Sequence, residues 1–451
     1  MYTLRAIFTD WKLSKRILLT LVFILLFRWG VMITIPGVTV NASQAWDTGS
    51  FIGIMNTLGG GGLTKFSIFA LGVSPYITAS IIIQLLSSDV IPSLTRLNKQ
   101  GEKGRIKVEK ITRLTTIAIA TMQALAVILA LEGSGYIEGT SDSWVGIIGL
   151  TAIMVSGSMI SLWIADQITM SGVGNGTSII IMVGIVARIP ALISGEYNYF
   201  IVDKNSAELV IIGIMSFVFY LFFTFSLIWL IAFFETSERR LPIQQTGQGL
   251  NLINDKQTYM PIKVNPAGVI PVIFASAVIS LPGTIAQFFG DTQGAIWVQT
   301  HFALTDWFGL IIYSLLLVLF TFFYAHININ SVETAESFQK SSTFIIGVTP
   351  GKDTEKYISK TVTRLSVMGA IELTTLAILP YLLTFTGIPR IIAVGGTSMI
   401  ILVSVAIDTW EQVQARAIAS QTTVKQKQKI HDRRQSTGQN IKRTSDTILF
   451  D

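Results

Sequence analysis

Ten stretches of this chain are apolar enough and long enough to cross a bilayer. A hydrocarbon core about 30 Å thick takes about 20 apolar residues of helix. Candidates fall at 17–36, 66–90, 114–131, 144–165, 177–194, 209–234, 266–289, 307–327, 365–386 and 391–407. The stretch 209–234 holds no charged residue and is dense in Phe, Ile and Leu, whereas 177–194 is interrupted by Arg188 and Pro190, and 391–407 is short. The first stretch lacks the short core and small-residue cleavage site of a secretory signal, so a retained span is expected there. The pattern predicts an all-α polytopic membrane protein.

The basic residues give that pattern a direction. With the N-terminus placed in the cytoplasm, the inner side holds 4 Lys and Arg before the first span, 7 between spans two and three, 4 between six and seven, 5 between eight and nine, and 8 in the tail, 28 in all. Only Lys65, Arg188, Lys204 and Arg390 fall outside, and Arg28 lies within the first span. Such a split is what the positive-inside rule requires, and a missed span would scramble it. An even count puts both termini in the cytoplasm. The basic loop 96–113 reads as orientation and attraction to anionic lipid headgroups. The tail Lys425–Arg443 reads as a disordered polar extension, with a membrane-surface or ribosome contact as the alternative, and the chain ends at Asp451 without a lipidation signal.

Composition narrows the chemistry. Half of the 451 residues are hydrophobic and 13% are charged, against roughly 25% charged in an ordinary soluble domain. A soluble enzyme and a disordered chain are both excluded. There is no cysteine, and the three histidines, His301, His326 and His431, lie far apart; disulfides, thiolate sites and a histidine metal cluster are not expected. A transporter needs ionisable groups at mid-membrane depth. Here Arg28 and Glu372 alone lie well inside spans, with Asp166, Asp408 and Glu411 near helix ends. Glu372 faces another helix, pairs with a polar partner, or is protonated. No Walker-type loop or catalytic triad is present, so no enzymatic role, cofactor, metal or nucleic-acid partner is expected.

Two features stay ambiguous on residue chemistry alone. Gly59–Gly62 precede a short apolar piece and then Ser74-Pro75, which predicts a span in two parts, a short outer helix and a longer one from Tyr76 to Ser88. That is either a simple proline kink or a mobile element, since broken helices survive only within protein or along a cavity. The run Ile81–Ile83 with Ile77 is either ordinary packing or part of a dewetted constriction.

The stretch FSIFALGVSPYITASIIIQLL (66–86), the loop LNKQGEKGRIKVEKITRL (97–114), DQITMSGVGNGTSIII (166–181), PIKVNPAGVIPVIFASAVISLPGTIAQFFG (261–290) and FFYAHININSVETAESFQKSSTFI (322–345) resemble the SecY family of the bacterial secretion translocon. TEKYISKTVTRLSVMGA (354–370) and GGTSMIIL (395–402) extend the resemblance. It implies a protein-conducting channel of ten helices in two inverted, pseudo-symmetric halves, 1–194 and 209–411. An external hinge at 195–208, cytoplasmic loops at 235–265 and 328–364 and a basic tail at 412–451 complete it. The resemblance implies a helical plug at about 60–72, with Gly60, Gly61, Leu63, Phe66, Ile68, Phe69 and Leu71. It implies a pore ring of Ile77, Ile81, Ile181, Ile273 and Ile401, with Thr177 where an isoleucine is usual. It implies a lateral gate between spans two and three and spans seven and eight, with Gln84, Gln123 and Asn265 at polar positions, where a sufficiently apolar segment partitions into lipid.

Partners implied in the same way are the SecE and SecG subunits, the SecA ATPase, the ribosome, membrane lipids, and signal sequences and nascent membrane proteins as substrates. Arg239, Arg240, Thr349, Pro350, Gly351 and Lys352 fall where the family docks its motor or the ribosome. Two departures stand out. GVTPGK places Thr349 where the family usually has arginine, and the loop after Arg239-Arg240 is poor in basic residues. These motivate an alternative, an accessory paralogue serving a narrow set of exports. An inverted-repeat secondary transporter is a third reading.

Overall fold

A computed structural model describes residues 11–36, 38–40, 53, 55–56, 59–87, 91–133, 137–138, 144–202, 207–245, 259–290, 292–384 and 396–419. In chain order the helices are α1 (Trp11–Met32), α2 (Ser74–Leu85), α3 (Pro92–Lys99), α4 (Glu102–Gly133), α5 (Trp144–Ser171), α6 (Gly176–Tyr197), α7 (Ala207–Thr236), α8 (Ile270–Gln287), α9 (Gln293–His301), α10 (Trp307–Asn328), α11 (Ser331–Lys340), α12 (Lys352–Thr384) and α13 (396–419). Every predicted span overlaps one of them, in part only at 66–90. Seven (α4, α5, α6, α7, α8, α10 and α12) are long and apolar enough to cross a membrane by length and composition. The others at predicted spans are α1, which carries Lys12, Lys15, Arg16 and Arg28, the short α2, and α13, which carries Asp408 and Glu411. This is a multi-pass membrane protein.

Local chemistry sets the helix starts. Pro75 sits in the first turn of α2, where its missing N–H costs nothing. Asn175 caps α6 by accepting the Thr177 N–H at 3.1 Å. Gly351, at φ +103°, turns the chain into α12, whose first turn carries Asp353 and Glu355, the sign that complements a helix N-terminus. Pro190 does not end α6, which runs on to Tyr197 and a π turn at Asn198–Val202.

The packing repeats itself. In the first half α2 packs on α4, α4 on α5, α5 on α6 and α1 on α5; in the second half α8 packs on α10, α10 on α12 and α7 on α12. Three of the four contacts of the first half recur between the matching helices of the second, as in inverted-repeat membrane folds. The halves meet where α8 packs on α2 and α4. Along α7, side chains such as Met215, Phe219, Phe222 and Phe225 remain exposed; facing hydrocarbon rather than water, they carry no hydrophobic penalty.

Two expectations are corrected. Residues 60–72 are not a helix but an irregular loop with one 3₁₀ turn, Leu63–Lys65. Its glycines adopt conformations that no helix contains, with Gly60 at φ +86° and Gly61 at φ +85°. α2 therefore spans only Ser74–Leu85, 12 residues, about 18 Å of helix. At the other end, α13 is described to residue 419. The tail Lys425–Arg443 and residues 203–206 of the hinge lie outside the described residues.

The connections hold two unforeseen sheets, the larger of them at the basic end. β1 (Thr39–Val40) pairs with β2 (Ile137–Glu138), and a three-stranded antiparallel sheet has the order β4 (Tyr259–Lys263), β3 (Glu238–Gln245), β5 (Thr343–Ile345). Leu241, Ile262 and Leu365 form a small apolar core that seats the sheet on α12.

Candidate functional site

Five isoleucines assigned to a ring by the resemblance converge from four helices. Ile77 and Ile81 on α2, Ile181 on α6, Ile273 on α8 and Ile401 on α13 are all buried and belong to one apolar cluster. A cavity of about 440 Å³ reaches from Ile77, Ile181 and Ile273 to Arg105 and Glu109 at the basic end. Thr177 lines this cavity rather than the cluster, half-buried in the first turn of α6, where its hydroxyl donates to Asn175 Oδ1 at 2.7 Å.

The loop 59–73 closes the other side. Phe69 and Val73 share the apolar cluster with the isoleucines, and Phe69 stacks on Phe27 of α1 at 5.7 Å. Leu63, Phe66 and Leu71 are buried against Ala124, Val127 and Ile128 of α4 and Met154 of α5, with Ile68 at the edge. The loop is tied by its own backbone. Asn56 Oδ1 accepts the N–H of Leu63 at 3.1 Å and of Thr64 at 3.3 Å, while Gly72 O accepts from Ser158 of α5 at 2.8 Å. Gly60 lies so close to Gly184 of α6 that a methyl group on Gly184 would stand 2.2 Å from Gly60 Cα. Phe66 is held at φ 47°, a left-handed conformation that costs a bulky residue roughly 1–3 kcal/mol. The loop is closely fitted yet locally strained.

Of the three polar residues assigned to a gate, one bridges the halves. Gln84 of α2 accepts a hydrogen bond from the Tyr324 hydroxyl of α10 at 2.5 Å. Interhelical polar bonds in membranes average about 0.6 kcal/mol, so this link fastens without locking. Phe274 of α8 meets Tyr324 edge-on at 4.8 Å beside it. Gln123 is buried on α4, and its Oε1 has no donor among the described residues. Asn265 instead bonds within its own turn, Nδ2 donating to Gly268 O at 3.2 Å, and its Oδ1 lies next to Gly369 of α12. Tyr324, Phe274, Asn56 and Gly184 did not stand out in the sequence. An asparagine just before a glycine run is the one signal that could have marked Asn56.

The residues assigned to docking share one platform. Arg239 and Arg240 lie exposed on β3, opposite Ile262 and Pro261 of β4, and β3 pairs on its other side with β5. Arg240 is held by Glu238 at 2.7 Å and lies over the Tyr259 ring. Thr349 donates to Asp353 and its carbonyl accepts from Thr354 at 2.9 Å, so Thr349, Pro350 and Gly351 form an exposed, capped turn before Lys352. Glu372 lies buried in α12 at 8% exposure, and its Oε2 has no hydrogen-bond donor among the described residues.

Residues 67–410 match the family described as SecY. The chain belongs to the SecY family. It is 44% identical over 433 residues to the protein translocase subunit SecY of Mycoplasma capricolum, covering 93% of this chain and 90% of that one. It is 39% identical to that of Bacillus subtilis, covering 90% and 95%. The fold is similar to a solved structure described as a protein-conducting channel, with a TM-score of 0.66 at 17% identity, covering 89% of this chain and 92% of that one. It is similar too to Sec61 from a canine ribosome–channel complex, with a TM-score of 0.60 at the same identity and coverage. The SecY match begins inside the loop 59–73 and runs into α13, taking in the isoleucine cluster and the platform.

Proposed function

We propose that this chain is the channel-forming subunit of a secretion translocase, passing unfolded polypeptides across the membrane and releasing apolar segments sideways into it. The observation that carries the reading is the isoleucine cluster, with a cavity on one side and a fitted loop on the other. Branched apolar side chains at a narrow point exclude water and ions when the path is empty. They deform around any passing chain because they make no directional bond to it. The loop 59–73 acts as the plug, with Gly60, Gly61, Leu63, Phe66, Ile68, Phe69 and Leu71 as its contacts. The gate is the seam of α2 and α4 against α8 and α10, fastened by Gln84 and Tyr324. Nothing in this mechanism makes or breaks a covalent bond, so the chain itself is not an enzyme.

The charge split supports a plasma-membrane protein with both termini in the cytoplasm, which puts the platform on the cytoplasmic face. SecE and SecG are its partner subunits, and SecA or the ribosome docks on the platform through Arg239, Arg240 and Lys352. Thr349 offers no bidentate donor pair where arginine is usual, so that contact depends more on the remaining cations. The accessory reading rests on that turn and on the basic-poor loop after Arg240, while the relatives of Mycoplasma capricolum and Lactococcus lactis, at 44% and 37% identity, are named as translocase subunits SecY. The test is reconstitution of the chain with SecE and SecG in vesicles, with SecA and ATP added. A secretory precursor should become protease-protected, and protection no greater than in vesicles lacking the chain would overturn the reading.

A further inference from the structure

One face of α6 follows the path from end to end. Thr177 and Ser178, in its first turn, line the cavity at the basic end. Ile181, a turn later, belongs to the isoleucine cluster. Gly184 comes next, where Gly60 of the loop 59–73 packs on the helix, and Arg188 follows beside Gly61. Spacings of three and four residues keep these positions on one face. Arg188 comes seven residues after Ile181, about 10 Å along the helix. It therefore stands beyond the constriction, on the side that the loop covers. A methyl group on Gly61 would lie 3.7 Å from Arg188 Cδ and 3.8 Å from its Cγ. The loop rests on the stem of the arginine, and the side chain is half-buried.

A cation is unfavourable there on two counts. Arg188 is the only charged residue of α6 between Gly176 and Gly195, inside an apolar span. It is also one of four basic residues that the charge split leaves on the outer side, against the positive-inside bias. Lipid is not what it faces. Val186 and Ile193, 47% and 44% exposed, share the outward face of α6, and that face lies opposite Arg188 at 3.6 residues per turn. Ionisable residues that turn inward from a membrane helix mark substrate pathways.

We infer that Arg188 is a charge filter on the exit side of the path, favouring acidic stretches of a passing polypeptide and slowing runs of lysine and arginine. The inference rests on the channel reading above and names a residue that discriminates among substrates on their way out. While the loop 59–73 is seated, it covers the stem of the arginine. Once the loop leaves, the guanidinium stands on the wall of the exit, past the isoleucines. It is always charged and carries five donors, so a passing carboxylate gains a charge-assisted contact. A passing ammonium meets a like charge instead, in a conduit whose apolar walls focus the field. The isoleucines exert no such preference, so discrimination by charge falls to Arg188.

The test uses the reconstituted complex and two precursors with the same signal, differing only in a short mature stretch rich in Glu or in Lys. The wild-type chain should protect the Glu precursor about threefold faster, the size of a partly screened charge contact. Arg188→Gln should bring the two rates together, Arg188→Glu should reverse their order, and Arg188→Lys should keep it. A merely structural loss would lower both rates alike, and size-exclusion elution checks that each variant folds. A second arm reads position without charge. The chain has no cysteine, so a stalled precursor carrying single cysteines should form a disulfide with Arg188→Cys and not with Val186→Cys on the opposite face. An unchanged order in Arg188→Glu, equal changes for both precursors, or crosslinks that favour Val186→Cys would overturn the inference and leave the channel reading in place. If neither precursor becomes protected in wild type, the channel reading fails and this inference with it.

Discussion

The connection from α1 to α2 and the connection from α7 to α8 hold the same place in the two inverted halves, and they could hardly be built more differently. The first, residues 33–73, carries one basic residue, Lys65. Its part at 59–73 is buried through glycines and apolar side chains against α4, α5 and α6. The second, residues 237–269, carries Arg239, Arg240, Lys256 and Lys263, and it forms strands that stand on α12 over a small core. Inversion puts the two on opposite faces. On the channel reading proposed above, the first connection is the dry stopper of the path and the second its charged landing surface, two uses of one position in the repeat.

Breaking the stopper should have the largest effect. Gly184→Val drives a side chain into Gly60, where even a methyl group would stand 2.2 Å from its Cα, and neither backbone can yield without moving the loop. The protein should still insert, because α6 keeps its apolar faces. Resting ion conductance in planar bilayers should rise by about tenfold or more, the equivalent of a loss near 1.4 kcal/mol in closure. Conductance equal to wild type would mean that the loop 59–73 is not what seals the path.

Breaking the landing surface should act more gently and only on coupling. Arg239→Glu alters an exposed strand residue and leaves the sheet register intact. SecA ATPase stimulation should fall several-fold at low salt, and the difference should narrow as salt rises past a Debye length of about 8 Å. Stimulation unchanged at both salts would remove the platform from the motor contact while leaving the channel reading in place.

The two connections also differ in how far they were legible. The spans were readable because hydrocarbon demands long apolar helices, and the basic loops fixed their alternation. The break before α2 was readable in Ser74-Pro75. The helix expected at 60–72 was not there, because four successive glycines favour left-handed turns, and the turn partners, Asn56 and Ser158, lie outside the run. The sheet was hidden because β3 ends on polar residues, Gln244 and Gln245, and pairs with a strand about a hundred residues away. At the gate Gln84 was visible, but its partner Tyr324 lies 240 residues on. Only the meeting of the two halves makes that pair. Asn265 turns toward Gly369 in its own half, a contact that its sequence position did not announce.

The central claim is that the loop 59–73 must leave its seat for a polypeptide to pass. The chain has no cysteine, so a pair of introduced cysteines forms the only disulfide. Thr34, just beyond α1, and Ser67 of the loop are antiparallel bridge partners, at a spacing where Cα atoms of about 4.4–6.8 Å can be joined. The Thr34→Cys/Ser67→Cys chain, reconstituted with its partners and oxidised, should stop translocating a secretory precursor and should recover when the disulfide is reduced. Equal translocation by the oxidised and reduced channel would contradict the account.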